Sequence, residues 1–356
     1  FFANPNLTPE IHKELELGIE AKFFKNRVGV DVSLYTKDSE DLIIDLDLDN
    51  STGYSSSTVN SASINNKGVE AILNVIPVQS RDFTWDVSAS FSLLRSEVIS
   101  IADGIDQIYV GGYVGRGNIA IPGLPYGILE GEVIRRDYGS LDGTDHTQVH
   151  WDDRTNYTPI VNANGGYQFL GYGVIGNPQP DYVYGVTNTL SYKWATLRVQ
   201  FDSQVGGDVF STTNSTLLGR GILQETDFDR FVPVVTKGLS ADGTPNTTQT
   251  TANAHYWPNT GVFYDENSIY DASVMRLREV SLSFVAPKSF LNGTPFGNAS
   301  LTLSAQNIWH YAWNTPSGTN FDPEVISYGA GSNARGFDEM TGPTAKKYGA
   351  TLSLTF

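Results

Sequence analysis

The sequence contains no cysteine and no apolar run of the roughly 18 residues that a membrane-spanning helix requires. The missing cysteines exclude a disulfide framework and thiol chemistry. Basic residues are also scarce, since 23 Lys and Arg stand against 39 Asp and Glu, and the net charge of −16 argues against a nucleic-acid-binding protein. A membrane location stays open, because a spanning strand needs only about 9–11 alternating residues.

Signatures of catalysis are missing as well. Neither a Gly-x-Ser-x-Gly elbow nor a His-Glu-x-x-His motif occurs, and the five histidines are scattered. The many carboxylates show no spacing that singles out an acid–base pair. We therefore predict that the protein is not an enzyme and needs no cofactor.

The abundant residues favour strands and turns. The 356 residues include 35 Gly, 18 Tyr and 18 Phe, with many Ser, Thr and Asn. Apolar and polar residues alternate through segments longer than the usual strand of about five or six residues, which is typical of a transmembrane β-barrel. Strands are predicted at residues 14–24, 28–48, 69–75, 83–93, 182–192, 197–205, 280–284, 301–305 and 346–356, with a further strand across 126–136.

The last predicted strand ends the sequence on an aromatic residue. Tyr348, Leu352, Leu354 and Phe356 lie on its apolar side. The final strand of outer-membrane β-barrels is similar, and there it is the signal that the barrel assembly machinery reads. We therefore predict that these four residues form an assembly signal.

The predicted connections alternate between short and long. Short turns at residues 25–27, 79–81 and 193–194 alternate with loops at 51–66, 211–270 and 309–343. Transmembrane barrels have short periplasmic turns and long extracellular loops. The count places residue 1 outside and residue 356 in the periplasm, provided that residues 97–179 hold zero or two wall strands. Both ends of an even-stranded barrel are periplasmic, so we expect the C-terminal part of a larger antiparallel barrel, with about 9–11 strands.

Six short motifs follow one another across nearly the whole chain. They are Asn4-Pro5-Asn6-Leu7 with Glu14-Leu15-Glu16-Leu17-Gly18, Asn66-Lys67-Gly68-Val69-Glu70, Ile175-Gly176-Asn177-Pro178-Gln179-Pro180-Asp181, Asp271-Ala272-Ser273 with Arg276-Leu277-Arg278, Gln306-Asn307, and Asp322-Pro323-Glu324-Val325. In this order they resemble the C-terminal half of SusC/RagA-like TonB-dependent outer-membrane transporters.

The resemblance implies a barrel of roughly 22 strands with a plugged lumen. Residues 1–356 would form its C-terminal part, with the plug domain and the N-terminal strands outside this chain. The implied function is TonB-dependent import of a large nutrient, an oligosaccharide or an oligopeptide, across the outer membrane. The implied partners are a SusD-like surface lipoprotein, TonB through the N-terminal part, the barrel assembly machinery and the lipid bilayer.

Two other classes of protein share parts of the pattern. A passive outer-membrane porin would have the same strands and the same last residue, without a plug. A soluble all-β glycan-binding or structural protein would have the alternation, but it gives no reason for the alternating loop lengths.

Aromatic side chains in the predicted outside loops are the candidate ligand contacts, since flat rings suit sugar faces and peptide side chains. The alternative is that these rings pack the long loops together. The candidates are Trp151, Tyr167, Tyr172, Tyr256, Trp257 and Trp313.

Two groups of residues invite an ion-binding interpretation. The acidic stretch from Asp45 to Asp49 departs from a calcium-binding EF-hand loop, because Asn50 stands where the pattern requires Gly. His146 and His150 lie among carboxylates in a glycine-rich segment that disfavours a helix. We predict no metal site at either place.

Arg276 and Arg278 share the parity of the apolar residues that follow them. They would face outward above the bilayer, or inward if a β-bulge reverses the register. Packing against a loop is the third interpretation.

Overall fold

The computed structural model describes residues 4–47, 49–113, 115–139, 150–259, 265–316, 318–319, 321–324, 327, 334–342 and 344–356. Its strands are β1 (Ile11–Phe23), β2 (Val28–Asp47), β3 (Ser56–Gln79), β4 (Phe83–Ser100), β5 (Ile108–Tyr113), β6 (Arg116–Ala120), β7 (Ile128–Ile134), β8 (Arg136–Asp137), β9 (Thr158–Pro159), β10 (Phe169–Gly176), β11 (Tyr182–Tyr192), β12 (Ala195–Val205), β13 (Asp208–Ser211), β14 (Val234–Val235), β15 (Gln249–Thr250), β16 (Ile269–Asp271), β17 (Val274–Val285), β18 (Asn298–Tyr311), β19 (Phe337–Asp338) and β20 (Lys347–Thr355). Short α-helices are α1 (Thr212–Gly219), α2 (Ala252–Asn259) and α3 (Lys288–Leu291). None of the described helices is long and apolar enough to cross a membrane.

Nine long strands form one antiparallel sheet in the order β1-β2-β3-β4-β11-β12-β17-β18-β20. This sheet is the barrel wall. Each predicted wall strand is confirmed, and residues 101–179 contribute no wall strand among those described. The count of nine is the lower limit of the prediction.

The two faces of the wall differ in polarity, as the alternation predicts. On the outer face, Leu17 pairs with Leu34 and Ile19 pairs with Val32. The Ile19 side chain is 70% exposed. A water-soluble protein rarely exposes large apolar side chains over a whole face of a sheet. The inner face carries polar rows instead; one of them joins Asp31, Ile72, Ser90, Gly185, Asp202 and Arg276 through successive strand pairs.

The short turns all lie at one end of the wall, as hydrogen bonds between neighbouring turns show. The Lys193 N–H donates to the Asp82 carbonyl oxygen at 2.9 Å, and the Val285 N–H donates to the Trp194 carbonyl oxygen at 2.8 Å. The Gly297 N–H donates to the Thr355 carbonyl oxygen at 2.7 Å, so the last strand finishes at the same end. The long connections 101–181, 206–273 and 312–346 leave the opposite end as predicted, whereas the β2–β3 connection spans only residues 48–55.

The prediction of a polar loop at residues 51–66 is wrong for most of its length. β3 begins at Ser56 and pairs with β2 up to Asp47. Cross-strand hydrogen bonds explain the strand, since the Asn60 amide donates to the Asp41 carbonyl oxygen at 2.8 Å and the Asn65 amide to the Asp38 carboxylate at 2.5 Å. Strand preference depends on such pairing more than on residue type.

A second layer, the inner cluster, packs on the polar face of the wall at the end opposite the short turns. It consists of the sheet β10-β7-β6-β5, the sheet β16-β13-β19 and the segments around α1 and α2. Its core is formed by Leu129, Val133, Ile175, Phe210 and Phe337, all buried. The strand predicted across 126–136 therefore exists as β7 and β8, but it belongs to this cluster.

β20 pairs with β18 on one side only among the described strands. The side chains of Tyr348, Leu352, Leu354 and Phe356 are exposed on its outer face, and the Phe356 ring lies 5.2 Å from the Phe296 ring. Their role as an assembly signal stays a prediction.

Candidate functional site

A β-bulge at Arg278 sets the geometry of the inner face near the long-loop end of the wall, which is the end opposite the short turns. The pairing of β17 shifts register there against both neighbours, so that Gln200 faces Glu279 while the next pair is Phe201 with Leu277. Arg276 consequently points to the inner face and is only 4% exposed. The outward interpretation is wrong, and the alternative with a bulge is confirmed.

The two arginines join the wall to the segment that follows β18. The Nε and Nη2 groups of Arg278 each donate to one oxygen of Asp202 at 2.7 Å, and Nη1 and Nη2 donate to the two oxygens of Glu324 at 2.9 Å. Arg276 is hydrogen-bonded to Asp322 and lies 3.3 Å from the Glu324 carboxylate. We call these five residues the arginine latch.

Arg276 and Asp322 are the buried pair of the latch, so their charges depend on each other. Burial raises the pKa of Asp322, but the Arg276 charge and the hydrogen bonds from Thr344 and Arg276 outweigh it and hold that pKa below its ordinary value. Bidentate arginine–carboxylate pairs are among the strongest hydrogen bonds in proteins. The latch therefore fixes the segment containing Asp322 and Glu324 against the inner face of the wall.

The motif around Asn177 forms a second junction, between β10 and β13. The Asn177 N–H donates to Asp208 Oδ2 at 2.7 Å, and the Asp208 N–H donates back to the Asn177 carbonyl oxygen at 2.7 Å. A Cβ on Gly176 would lie 2.9 Å from the Asp208 Cβ, so the close approach needs glycine. Sequence reasoning recognised this motif only through its resemblance and assigned it no role.

Burial raises the pKa of Asp208 to about 6, although the hydrogen bond from Asn177 acts in the opposite direction. The carboxylates of Asp152, Asp271 and Asp181 add to the increase. The folded protein therefore binds the Asp208 proton more tightly than the unfolded chain does.

This shift predicts a pH-dependent effect of Asp208→Asn. Wild type loses stability as the pH rises through about 4 to 6, because ionisation of the buried carboxyl is unfavourable. The variant does not ionise, so its stability relative to wild type should rise by up to about 3 kcal/mol between pH 4 and pH 7. Unfolding midpoints across this range measure the difference. The exposed Asp103 supplies the control Asp103→Asn, and an Asp208→Asn difference that does not change with pH would contradict the prediction.

The aromatic candidates are distributed over separate places. Tyr256 in α2 packs against Phe228 at 6.0 Å, and both line a cavity of about 590 Å³ together with Arg220 and Arg230. Trp257 follows in α2, and its side chain lies outside the described part of the chain.

The other four candidates have different neighbours. Trp151 stacks on His150 at 3.7 Å, and Tyr172 is exposed beside Phe169 at 5.6 Å. Tyr167 is half-buried next to the β8–β9 hairpin, and Trp313 lies near Tyr311 at 6.5 Å. The 3-10 helix that carries Trp151 contacts β10, which carries Tyr172. Contact of the six rings with a ligand stays a prediction.

A polar cavity of about 650 Å³ lies against the inner face of the wall beside the latch. Its charged lining comprises Asp31, Glu70, Asp202, Arg276 and Glu324. Sequence reasoning missed this cavity, since its lining comes from six wall strands and from the segment of Glu324.

The ion-binding candidates have ordinary partners where they are described. Asp45 accepts a hydrogen bond from Thr58, and Asp49 accepts one from the Ser51 N–H at 2.7 Å. His150 lies 3.6 Å from the Asp152 carboxylate, whereas His146 lies outside the described residues. The described residues contain no group of three or more His, Asp or Glu side chains that could hold a metal ion.

Comparison with known protein families shows to which family this chain belongs. The profile of the family described as "TonB dependent receptor-like, beta-barrel" matches residues 1–202. The chain belongs to this family. The all-β barrel fold and the resemblance found from the motifs are thereby confirmed.

Individual relatives in this TonB-dependent receptor family are distant. TonB-dependent receptor P3 of Formosa agariphila is 27% identical over 383 aligned positions, covering 100% of this chain and 35% of that protein. TonB-dependent receptor SusC of Bacteroides thetaiotaomicron is 22% identical over 295 positions, covering 79% of this chain and 26% of that protein. A chain of the RagAB peptide transporter has the same fold, with a TM-score of 0.67 at 20% identity, over 99% of this chain and 36% of that chain. The chain thus spans about a third of the length of these receptors.

Proposed function

We propose that this chain forms part of the wall and of the extracellular gate of a TonB-dependent importer for a large nutrient, an oligosaccharide or an oligopeptide. The observation that carries the proposal is the combination of a long-stranded wall, exposed and apolar outside, with a packed inner cluster held to its polar face. Receptors of the family with a similar sequence are named for TonB dependence.

The outer membrane is the environment that suits this wall. Its strands are long enough to cross a hydrocarbon layer of about 30 Å, and the exposed outer face is apolar along them. The short turns would face the periplasm and the inner cluster would face outside. Among the described strands, β1 and β20 each have one unpaired edge. This favours completion of the barrel by further strands, because each unsatisfied backbone group in lipid costs several kcal/mol.

The proposed partners follow from the same relatives. A SusD-like lipoprotein would cover the long-loop end, TonB would act through an N-terminal plug domain, and the barrel assembly machinery would read β20. A passive porin is the weaker candidate, since the inner cluster fills space that an open pore would need. A soluble glycan-binding protein is weaker still, since it gives no reason for the apolar outer face.

Expression of the full-length transporter as the sole uptake route for its nutrient tests the proposal. We expect the protein to extract from the outer membrane only in detergent, together with a lipoprotein, and uptake to stop in a strain that lacks TonB. Unchanged uptake without TonB would support the porin instead. Recovery of the protein as a soluble monomer in aqueous buffer would contradict both membrane functions.

A further inference from the structure

A buried arginine beside the inner cluster has no ion-pair partner among the described residues. Arg154 lies in a 3-10 helix, Trp151–Asn156, and is only 2% exposed. Its Nε and Nη1 groups have no hydrogen-bond partner in the described part of the chain. Among the described residues no carboxylate lies within ion-pair distance of it.

The groups around Arg154 do not neutralise it. Glu266 and Arg136 lie close enough to affect its pKa, but Glu266 already accepts hydrogen bonds from Arg136 Nη1 at 2.7 and 2.9 Å. Glu266 also accepts one from the Ile134 N–H at 2.8 Å. The two buried guanidinium groups of Arg136 and Arg154 therefore have one carboxylate between them among the described residues.

A second unpaired donor lies in the same place. The Tyr138 hydroxyl is buried beside Arg136, which can only donate to it, so the hydroxyl proton has no acceptor among the described residues. Burial raises the pKa of Tyr138, so the hydroxyl stays protonated. The Tyr138 ring packs edge-on against Tyr157 at 5.0 Å. Tyr167, one of the predicted ligand contacts, is close enough for Arg136 to affect its pKa.

We infer that Arg154 and the Tyr138 hydroxyl form a binding site for an oxyanion, a carboxylate or sulfate group carried by the substrate. A guanidinium group presents several donors in a plane that matches such a group, and an unpaired buried charge is otherwise strongly unfavourable. The surrounding tyrosine rings suit the body of a sugar or a peptide. The inference rests on the proposed import function, since it assigns part of the imported substrate to this site.

The test uses the detergent-solubilised full-length protein and three probes at matched ionic strength: sulfate, D-glucuronate with D-glucose as its neutral control, and N-acetylglutamate with N-acetylglutamine. We expect at least one anion to raise the unfolding midpoint by about 2 °C or more when present at 100 times its Kd. Arg154→Gln should raise the Kd of that anion by at least about tenfold. Arg154→Lys should keep part of the increase in unfolding midpoint, and Arg335→Gln, at an exposed arginine, should keep all of it.

The pattern of responses identifies the source of the oxyanion. A response to glucuronate favours an acidic sugar, a response to N-acetylglutamate favours an acidic peptide, and a response to sulfate alone favours a sulfate ester. Assembly of each variant is checked by its resistance to unfolding in SDS at room temperature. If no anion stabilises the wild type, or if Arg154→Gln responds like the wild type, the inference is wrong. Neither result changes the uptake expected with and without TonB, so a failure of the anion site can be distinguished from a failure of the proposed function.

Discussion

Replacing Arg276 by methionine is expected to release the segment after β18 from the wall, at a cost of about 3–5 kcal/mol. The substitution leaves the carboxylate of Asp322 buried without its partner, and this loss exceeds the gain from removing one buried cation. Proteolysis within residues 312–346 should accelerate by at least about 100-fold, because cleavage follows the equilibrium population of the opened segment.

An exposed ion pair provides the matched control. Arg95 is paired with Asp181 at 3.1 Å on the surface, so Arg95→Met should cost less than about 1 kcal/mol. The double variant Arg276→Met, Asp322→Leu should recover most of the loss, since replacing a whole buried pair by apolar residues is often neutral. Equal proteolysis of Arg276→Met and wild type would mean that the latch does not hold the segment.

Replacing Phe210 by alanine is expected to destabilise the inner cluster by about 3–5 kcal/mol. The Phe210 ring is fully buried in the cluster core, 5.7 Å from the Phe337 ring, and the Arg116 guanidinium lies 5.0 Å above it. Its loss would leave a cavity where β13 and β19 meet. Hydrogen exchange of the amides in β7, β10 and β13 measures the change, while the wall strands serve as an internal reference.

The control for Phe210 is an exposed phenylalanine. Phe231 is 96% exposed, so Phe231→Ala should change stability by no more than about 0.5 kcal/mol. If both substitutions had equal effects on hydrogen exchange, the inner cluster would not be the packed unit described above.

The wall was predictable from the sequence because each strand has one apolar and one polar face. A period of two is then visible without knowledge of the partner strand, and the loop lengths supply the orientation. The N-terminal part of β3, residues 56–66, was predicted as a loop for the opposite reason. Residues 56–66 are mostly polar, and only their pairing with β2 makes them a strand.

The inner cluster was hidden because its strands are short and its central strand β7 is buried on both faces. β7 reads Ile-Leu-Glu-Gly-Glu-Val-Ile with nearly every side chain buried, so it has no alternation to detect. The latch was predictable only as an alternative, since no local pattern indicates whether Arg278 occupies a bulge. Arg154 gave no signal at all, because its burial results from tertiary packing.

The inner cluster has a consequence for the order of folding. Wall strands pair mostly with near neighbours in sequence, whereas the cluster joins Arg335 to Asn118 across 217 positions through an N–H···O bond of 2.7 Å. Arg116 likewise meets Asp265 across 149 positions. Contacts of such sequence separation form slowly, because a long loop must close before they contribute. These contacts are therefore expected to form late in folding, so that the inner cluster becomes structured after the wall strands have paired.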